Sequence, residues 1–264
     1  MTPELYDRIG RTYTSTRTTD PRIAAAVWNA LGDARTVLNV GAGSGHYEPT
    51  DREVVALEPS PVMIAQRPPD AGRRVRVVQG RAEALPFEDD SFDAVMAVLS
   101  DHHWQDRRRG FAELRRVARD RVVLFNANPG EADRFWMTTE YLPEFLELIA
   151  PRYRTPGAWR DELGEAFGGA ELTPVPVPHD CQDGFYGAYW RRPEAFLDPG
   201  VRAGISVFAQ VSSAAVVRAI DALGADLQNG RWQERHRELL SLDELHLGYY
   251  VIVAEPTSQT GGSA

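Results

Sequence analysis

Short apolar runs and stretches of helical spacing alternate along the first half of the chain, and the switches between them mark out its elements. The run from Thr36 that breaks into glycines before His46, Arg52-Glu53-Val54-Val55-Ala56-Leu57-Glu58-Pro59, Val75-Arg76-Val77-Val78-Gln79-Gly80, Asp89 to Ser100 with its lead-in, and Arg121-Val122-Val123-Leu124-Phe125-Asn126 are such runs. Bounded by turn residues and rich in valine, they predict strands, the first of them a buried parallel one. Between them, Tyr6, Ile9, Tyr13, Ile23, Val27 and Leu31 predict helix over residues 4 to 31, with Asp20-Pro21 capping a fresh start and Gly32 closing it. Pro59 to Arg67, opened by proline and serine, and Gly110 to Arg119 predict two further helices. Strands alternating with helices define an α/β sheet.

Beyond residue 126 the pattern loosens. Phe135 to Leu146 predicts an aromatic-rich helical insertion, and Pro174-Val175-Pro176-Val177-Pro178 alternates like an edge strand, where proline is tolerated. Phe185 to Arg192 is a second aromatic cluster, and Leu247 to Ala254 predicts a closing strand. The tail from Glu255 to Ala264, rich in Ser, Thr and Gly, is expected to be disordered.

The chemistry concentrates after the first strand, where Gly41-Ala42-Gly43-Ser44-Gly45-His46 breaks the apolar run. Glycines at alternate positions allow a sharp turn and predict bare backbone left open for a ligand. The second strand ends on Glu58, and an acidic residue there commonly holds a ribose diol beyond the carboxyl ends of the strands. Turn and carboxylate together indicate a nucleoside cofactor, the alternative being a turn that merely ends a strand. The dinucleotide fingerprint needs a small third residue one position further on, and His46 stands there.

The G-x-G-x-G form resembles motif I of the class I S-adenosylmethionine (SAM)-dependent methyltransferases. Gly80-Arg81-Ala82-Glu83-Ala84-Leu85-Pro86-Phe87, Asp89-Asp90-Ser91-Phe92-Asp93-Ala94-Val95 and Asp101-His102-His103-Trp104-Gln105-Asp106 resemble, in order, further segments of the methyltransferase type 11 group, which includes the ubiquinone/menaquinone methyltransferases. The resemblance runs from about Tyr6 to Asn126. It implies a Rossmann-like, seven-stranded mixed sheet with helices on both faces and a cap insertion. It implies a SAM-binding core with N-terminal helices over 1–126, a substrate cap with the remaining sheet segments over 127–246, and the closing strand over 247–254. The cofactor set it implies is Asn39, Gly41, Ala42, Gly43, Gly45, Glu58, Pro59, Arg81, Ala82, Glu83, Leu99 and Ser100, with Tyr13 as a lid over the cofactor or simply packed on the sheet. Arg81 replaces an Asp that accepts from the adenine amine. A guanidinium accepts nothing, so Ala82 keeps its backbone N–H contact while Glu83 or another acceptor takes the amine, or Arg81 lies over the ring. Asn39 replaces an Asp, giving up charge opposite the SAM ammonium, with Glu48 or water as compensation. Leu99 and Ser100 end the fourth strand, the usual place for the reacting methyl.

His102 and His103 follow that strand, where a base of near-neutral pKa is useful to an acceptor that must lose a proton; the alternative is that they hold the turn. His179, Asp180 and Cys181 form an isolated trio without further ligands for a metal. The aromatic clusters around Trp136 and Tyr189 either wall an apolar pocket or pack a core.

Composition narrows the partners. The chain has 264 residues, 43% hydrophobic and 25% charged, ordinary for a globular protein. A net charge of −9, from 29 Lys+Arg against 38 Asp+Glu, disfavours nucleic acid and anionic membranes as partners. No run approaches the roughly 18 apolar residues of a membrane span, and no leader pattern opens the chain, so a cytoplasmic location is expected. One cysteine rules out an internal disulfide framework. Methylation of a small-molecule acceptor on oxygen, nitrogen or carbon is the expected activity, with a non-catalytic SAM-binding protein and a nicotinamide-dependent oxidoreductase as the alternatives. Oligomeric state is not legible.

Overall fold

The computed structural model describes residues 16–68, 75–153, 155 and 157–255. The five apolar runs form β1 (Thr36–Val40), β2 (Glu53–Glu58), β3 (Val75–Gln79), β4 (Phe92–Val98) and β5 (Ala118–Ala127). They pair in parallel: Leu38 lies opposite Val55 and Val95, Ala56 opposite Val77, and Met96 opposite Val123. Consecutive residues Val37 and Leu38, like Val95 and Met96, are fully buried, so both faces of these strands are covered. With β6 (Glu171–Pro174), β7 (Val177–Pro178), β8 (Glu244–Leu245) and β9 (Tyr249–Ala254), the main sheet runs β3-β2-β1-β4-β5-β9-β6. It is a mixed seven-stranded sheet. Strand order reverses between β1 and β4, and their carboxyl ends are where an open α/β sheet receives its ligand.

Local chemistry sets the helices. In α1 (Pro21–Ala30) the Asp20 carboxylate accepts the Arg22 amide at 3.0 Å, and Gly32 ends the segment at φ 56°. Residues 17–20 are not helical, and the helix starts afresh at Pro21 as Asp20-Pro21 predicts; Arg17 pairs with buried Asp183 at 2.6 Å. Ser60 caps α2 (Pro61–Ala65) by accepting the Met63 amide, and Asp106 caps α3 (Arg107–Val117) by accepting the Arg109 amide at 3.0 Å. α3 starts before the expected Gly110 and passes into β5 with no loop, because Ala118 is already extended. Gly110 lies inside it, where a Cβ would come within 2.4 Å of Trp104.

The proline run is two elements rather than the single expected strand. β6 ends at Pro174 on the edge of the main sheet, while Val177–Pro178 pairs antiparallel with Glu244–Leu245 in a separate ribbon. Pro174, Pro176 and Pro178 have no N–H, so one continuous ladder cannot form. The first aromatic segment is a π-helical turn over Met137–Tyr141, followed by α4 (Glu144–Ile149). Further helices are α5 (Ala158–Phe167), α6 (Pro199–Ala203), α7 (Ser206–Gln210), α8 (Ser213–Gln228) and α9 (Arg231–Arg235).

The chain divides into two units. One holds the described residues through Ala24 with Ala127–Trp159 and Pro174–Tyr249; the other holds Ala25–Asn126, Arg160–Thr173 and the described residues from Tyr250. In the first, Phe196 is fully buried with Trp136 at 5.9 Å and Tyr189 at 5.6 Å between ring centroids, and Trp136 Nε1 donates to the Trp190 carbonyl. Those rings pack one another as core. The second contains most of the main sheet. Tyr13 and the tail beyond Glu255 lie outside the described residues.

Candidate functional site

β1 ends in a turn that strongly favours glycine: Gly41, Gly43 and Gly45 have φ of 69°, 54° and 94°. At Gly41 space forbids a side chain as well, because a Cβ there would lie 2.6 Å from Ser100 Cβ. Ser100, buried at the end of β4, donates its hydroxyl to the Val40 carbonyl at 2.9 Å. The amides of the turn are not left bare, as the sequence had suggested. Those of Gly41 and Ala42 donate to the Leu57 carbonyl, that of Gly45 to Ala42, and that of Gly43 to Glu58 Oε2 at 2.8 Å. The chain runs from Gly41 to Arg52 without a helix, so the turn satisfies its donors from its own surroundings. A pyrophosphate needs open amides at a helix N-terminus. Those four amides are used and no helix follows, which argues against a dinucleotide.

Glu58 is buried, and its other oxygen accepts the Ser60 amide at 2.9 Å. Pro59 accepts from Gln79 through its carbonyl. Met63, from α2, faces Gly43, with its Cε 3.4 Å from where a Cβ would stand. Beyond β3, Arg81 forms a short bridge with Ala84, and Ala82 is buried. Glu83 does something the sequence did not reveal: its Oε1 accepts the Gln105 and Asp106 amides at 2.7 and 3.2 Å. It thereby ties the turn after β3 to the turn after β4.

Beneath the glycine turn, Asn39 donates from Nδ2 to Glu48 Oε1 at 3.2 Å, and Glu48 Oε2 pairs with Arg67 at 2.5 Å. Among the described residues no donor stands against the buried Asn39 Oδ1. An unmatched buried acceptor costs roughly 1–3 kcal/mol. It suits a ligand that brings N–H donors, as the SAM ammonium does, and the surrounding residues therefore fit that molecule better than a phosphate.

Leu99 holds φ 49°, a strained value for a leucine, and donates its amide to Phe125 at 2.8 Å. His102 and His103 stack at 3.8 Å between centroids in the turn that follows. Asp101, 1% exposed, is gripped by Arg107 at 2.6 Å and by the Asn126 side-chain amide. That same Nδ2 lies 3.4 Å from His102 Nδ1. Asp101, Arg107, Asn126 and Arg67 were missed in the sequence; for Asn126 the available signal was a polar residue closing an apolar run. Far along the chain, Asp180 pairs with Arg22 at 2.7 Å. Burial pushes the Cys181 thiol up to about 12, so it is not a ready nucleophile. Among the described residues no group of three His, Cys, Asp or Glu is placed to hold a metal, and no helix is long and apolar enough to cross a membrane.

Residues 38–125 match the methyltransferase domain family model. A solved putative methyltransferase from an antibiotic biosynthesis pathway of Anabaena variabilis is 34% identical, with a TM-score of 0.80, covering 90% of this chain and 98% of that one. The uncharacterized methyltransferase YcgJ of Bacillus subtilis is 32% identical over 41% of this chain and 42% of its own length. Demethylmenaquinone methyltransferase of Renibacterium salmoninarum is 34% identical over 44% of this chain and 52% of its own. The match thus spans about half or less of these two curated relatives. Fold, site and relatives agree: the chain belongs to the class I SAM-dependent methyltransferases.

Proposed function

We propose that this protein transfers a methyl group from SAM to a small-molecule acceptor, on oxygen, nitrogen or carbon. The observation that carries the reading is the Glu58 carboxylate seated against the Gly43 amide at the switch point of the sheet. Glu58 holds the ribose hydroxyls, Ala82 meets the adenine through its amide, and Asn39 with the Gly41 to Gly45 turn receives the methionine end. Pro59, Arg81 and Glu83 shape the adenine side, and Leu99 and Ser100 form the floor near the reacting methyl. When bound, SAM supplies an already activated methyl, leaving the chain to orient the acceptor and keep water out.

For His102 and His103 we infer a turn-holding role ahead of general base. Asn126 turns Nδ2 toward Asp101, because a carboxylate held by Arg107 only accepts. The same Nδ2 lies 3.4 Å from His102 Nδ1, so Asn126 holds that ring in the turn beside Asp101. Replacing each histidine by Gln tests this: turnover at saturating substrate stays near normal for a turn-holding residue and collapses for a base.

The small-molecule reading draws support from the demethylmenaquinone methyltransferase among the relatives; a quinone precursor is one candidate acceptor. Titration calorimetry against SAM and NAD, followed by incubation with phenols, amines and quinols, tests the whole. Heat with SAM alone and release of S-adenosylhomocysteine are expected. Heat with NAD alone overturns the reading, and SAM binding without turnover across acceptor classes favours the non-catalytic alternative.

A further inference from the structure

Parallel neighbours such as β1 and β2 are ordinarily joined through a helix, whose first turn brings a positive end to the ligand. Here residues 41–52 make the crossing without one. The space is occupied from the far end of α2. Arg67 enters under the glycine turn with guanidinium atoms 3.0–3.2 Å from where a Gly45 Cβ would stand, and its Nη1 donates to the Gly43 carbonyl at 3.2 Å. Its partner is Glu48, on the crossing segment itself, at 2.5 Å; the two side chains are 4% and 7% exposed. Glu48 in turn takes the Asn39 amide.

We propose that Arg67 and Glu48, held by Asn39, are positioning residues for the cofactor turn, standing in for the absent helix. The proposal rests on the SAM reading above. It also explains two features of the motif. Gly45, already required by its φ of 94°, leaves the volume of a side chain to the guanidinium. Residue 39 is an amide because its side chain meets Glu48 at 3.2 Å, so an aspartate there would set two carboxylates against one another, with Arg67 paired to Glu48. A buried ion pair is weak evidence of stability by itself; its use here is to fix a main-chain carbonyl and a charge beneath the turn.

The experiment is SAM titration calorimetry on the full chain, with thermal melts alongside, for the wild type, Arg67→Met, Asn39→Asp and Asn39→Asp/Glu48→Gln. Arg67→Met is expected to weaken SAM at least ten-fold at temperatures where it remains folded. Asn39→Asp adds a charge that can face the SAM ammonium but sets it against Glu48, and because that repulsion unseats the turn it is expected to weaken SAM increasingly as pH rises from 5 to 8; adding Glu48→Gln, which restores the charge count, is expected to recover affinity and flatten the profile. Should Arg67→Met fail to fold, the rescue pair decides. Wild-type binding with Arg67→Met within two-fold of it, or a double variant no better than Asn39→Asp, overturns the proposal and leaves the methyltransferase reading standing. Absence of SAM binding by the wild type overturns both.

Discussion

Glu58 accepts the Gly43 amide at 2.8 Å through one oxygen and the Ser60 amide at 2.9 Å through the other, so a single buried carboxylate fastens the glycine turn to the start of α2. Glu58→Gln keeps one acceptor and turns the other into a donor facing a donor. The expected cost is about 1–3 kcal/mol of stability, with SAM affinity down roughly ten- to hundred-fold as charge-assisted bonds are lost. Denaturant unfolding and calorimetry on one preparation check both numbers. A variant that binds SAM like the wild type removes Glu58 from the cofactor site.

Gly41 combines two demands, a φ of 69° and the nearness of Ser100 Cβ. Gly41→Ala is expected to destabilise by about 2–4 kcal/mol, of which the left-handed backbone accounts for roughly 1–2. Ser100→Gly removes the crowding atoms and also the hydroxyl bond to Val40, a loss that the single variant measures. A double-mutant cycle by urea unfolding is therefore expected to show about 1 kcal/mol or more of favourable coupling; additivity rules out the clash as a cause.

The centre of the main sheet was legible because β1, β2 and β4 are buried on both faces, and burial writes itself as uninterrupted apolar runs such as Val54 to Leu57. The glycine turn was legible for a related reason, since positive φ leaves few residue choices. What the turn does with its amides was not legible. That depends on the Leu57 carbonyl and the Glu58 carboxylate arriving from the next strand, and on the missing crossover helix, which spacing alone did not reveal. Glu83 shows the same limit: its partners at 105 and 106 are brought to it only by the fold. α8 was overlooked because its buried stripe consists of Ala215, Ala219 and Leu223, which carry little hydrophobic contrast. The π-turn at Met137 to Tyr141 has no sequence period of its own.

Arg107 and Asp101 meet at 2.6 Å with both side chains 2% exposed. Arg107 also pairs with Glu162 at 2.7 Å, so Arg107→Met takes the cation from two carboxylates, with an expected loss of about 3–5 kcal/mol. Asp101→Asn in the same chain removes the more deeply buried of the two charges and should return part of that loss. Urea midpoints of the two variants measure the difference. An Arg107→Met chain within 1 kcal/mol of wild type, on the order of the surface-pair value, would place the pair in solvent.

Asp20 gives the chain a defined acid sensitivity. Burial acts to raise its pKa, but hydrogen bonds from the Arg22 side chain, the Gln182 amide and the Arg22 amide outweigh it and bring the carboxyl from 3.8 to about 2. Its side chain is fully buried, with Arg22 at 2.7 Å and the Gln182 amide at 2.9 Å. A carboxyl depressed in the folded state stabilises above its unfolded pKa, and that contribution is lost as pH falls through the folded value. The window is therefore pH 4 down to 2, and the size is about 2 kcal/mol. Other carboxylates titrate there as well, so the informative quantity is the wild-type stability minus that of Asp20→Asn, measured by urea unfolding at a series of pH values. That difference should hold steady from pH 7 to 5, shrink from pH 4 to 2, and move the N-terminal edge of α1 with it, since the same carboxylate caps the helix. A difference independent of pH assigns Asp20 a capping role that needs no charge.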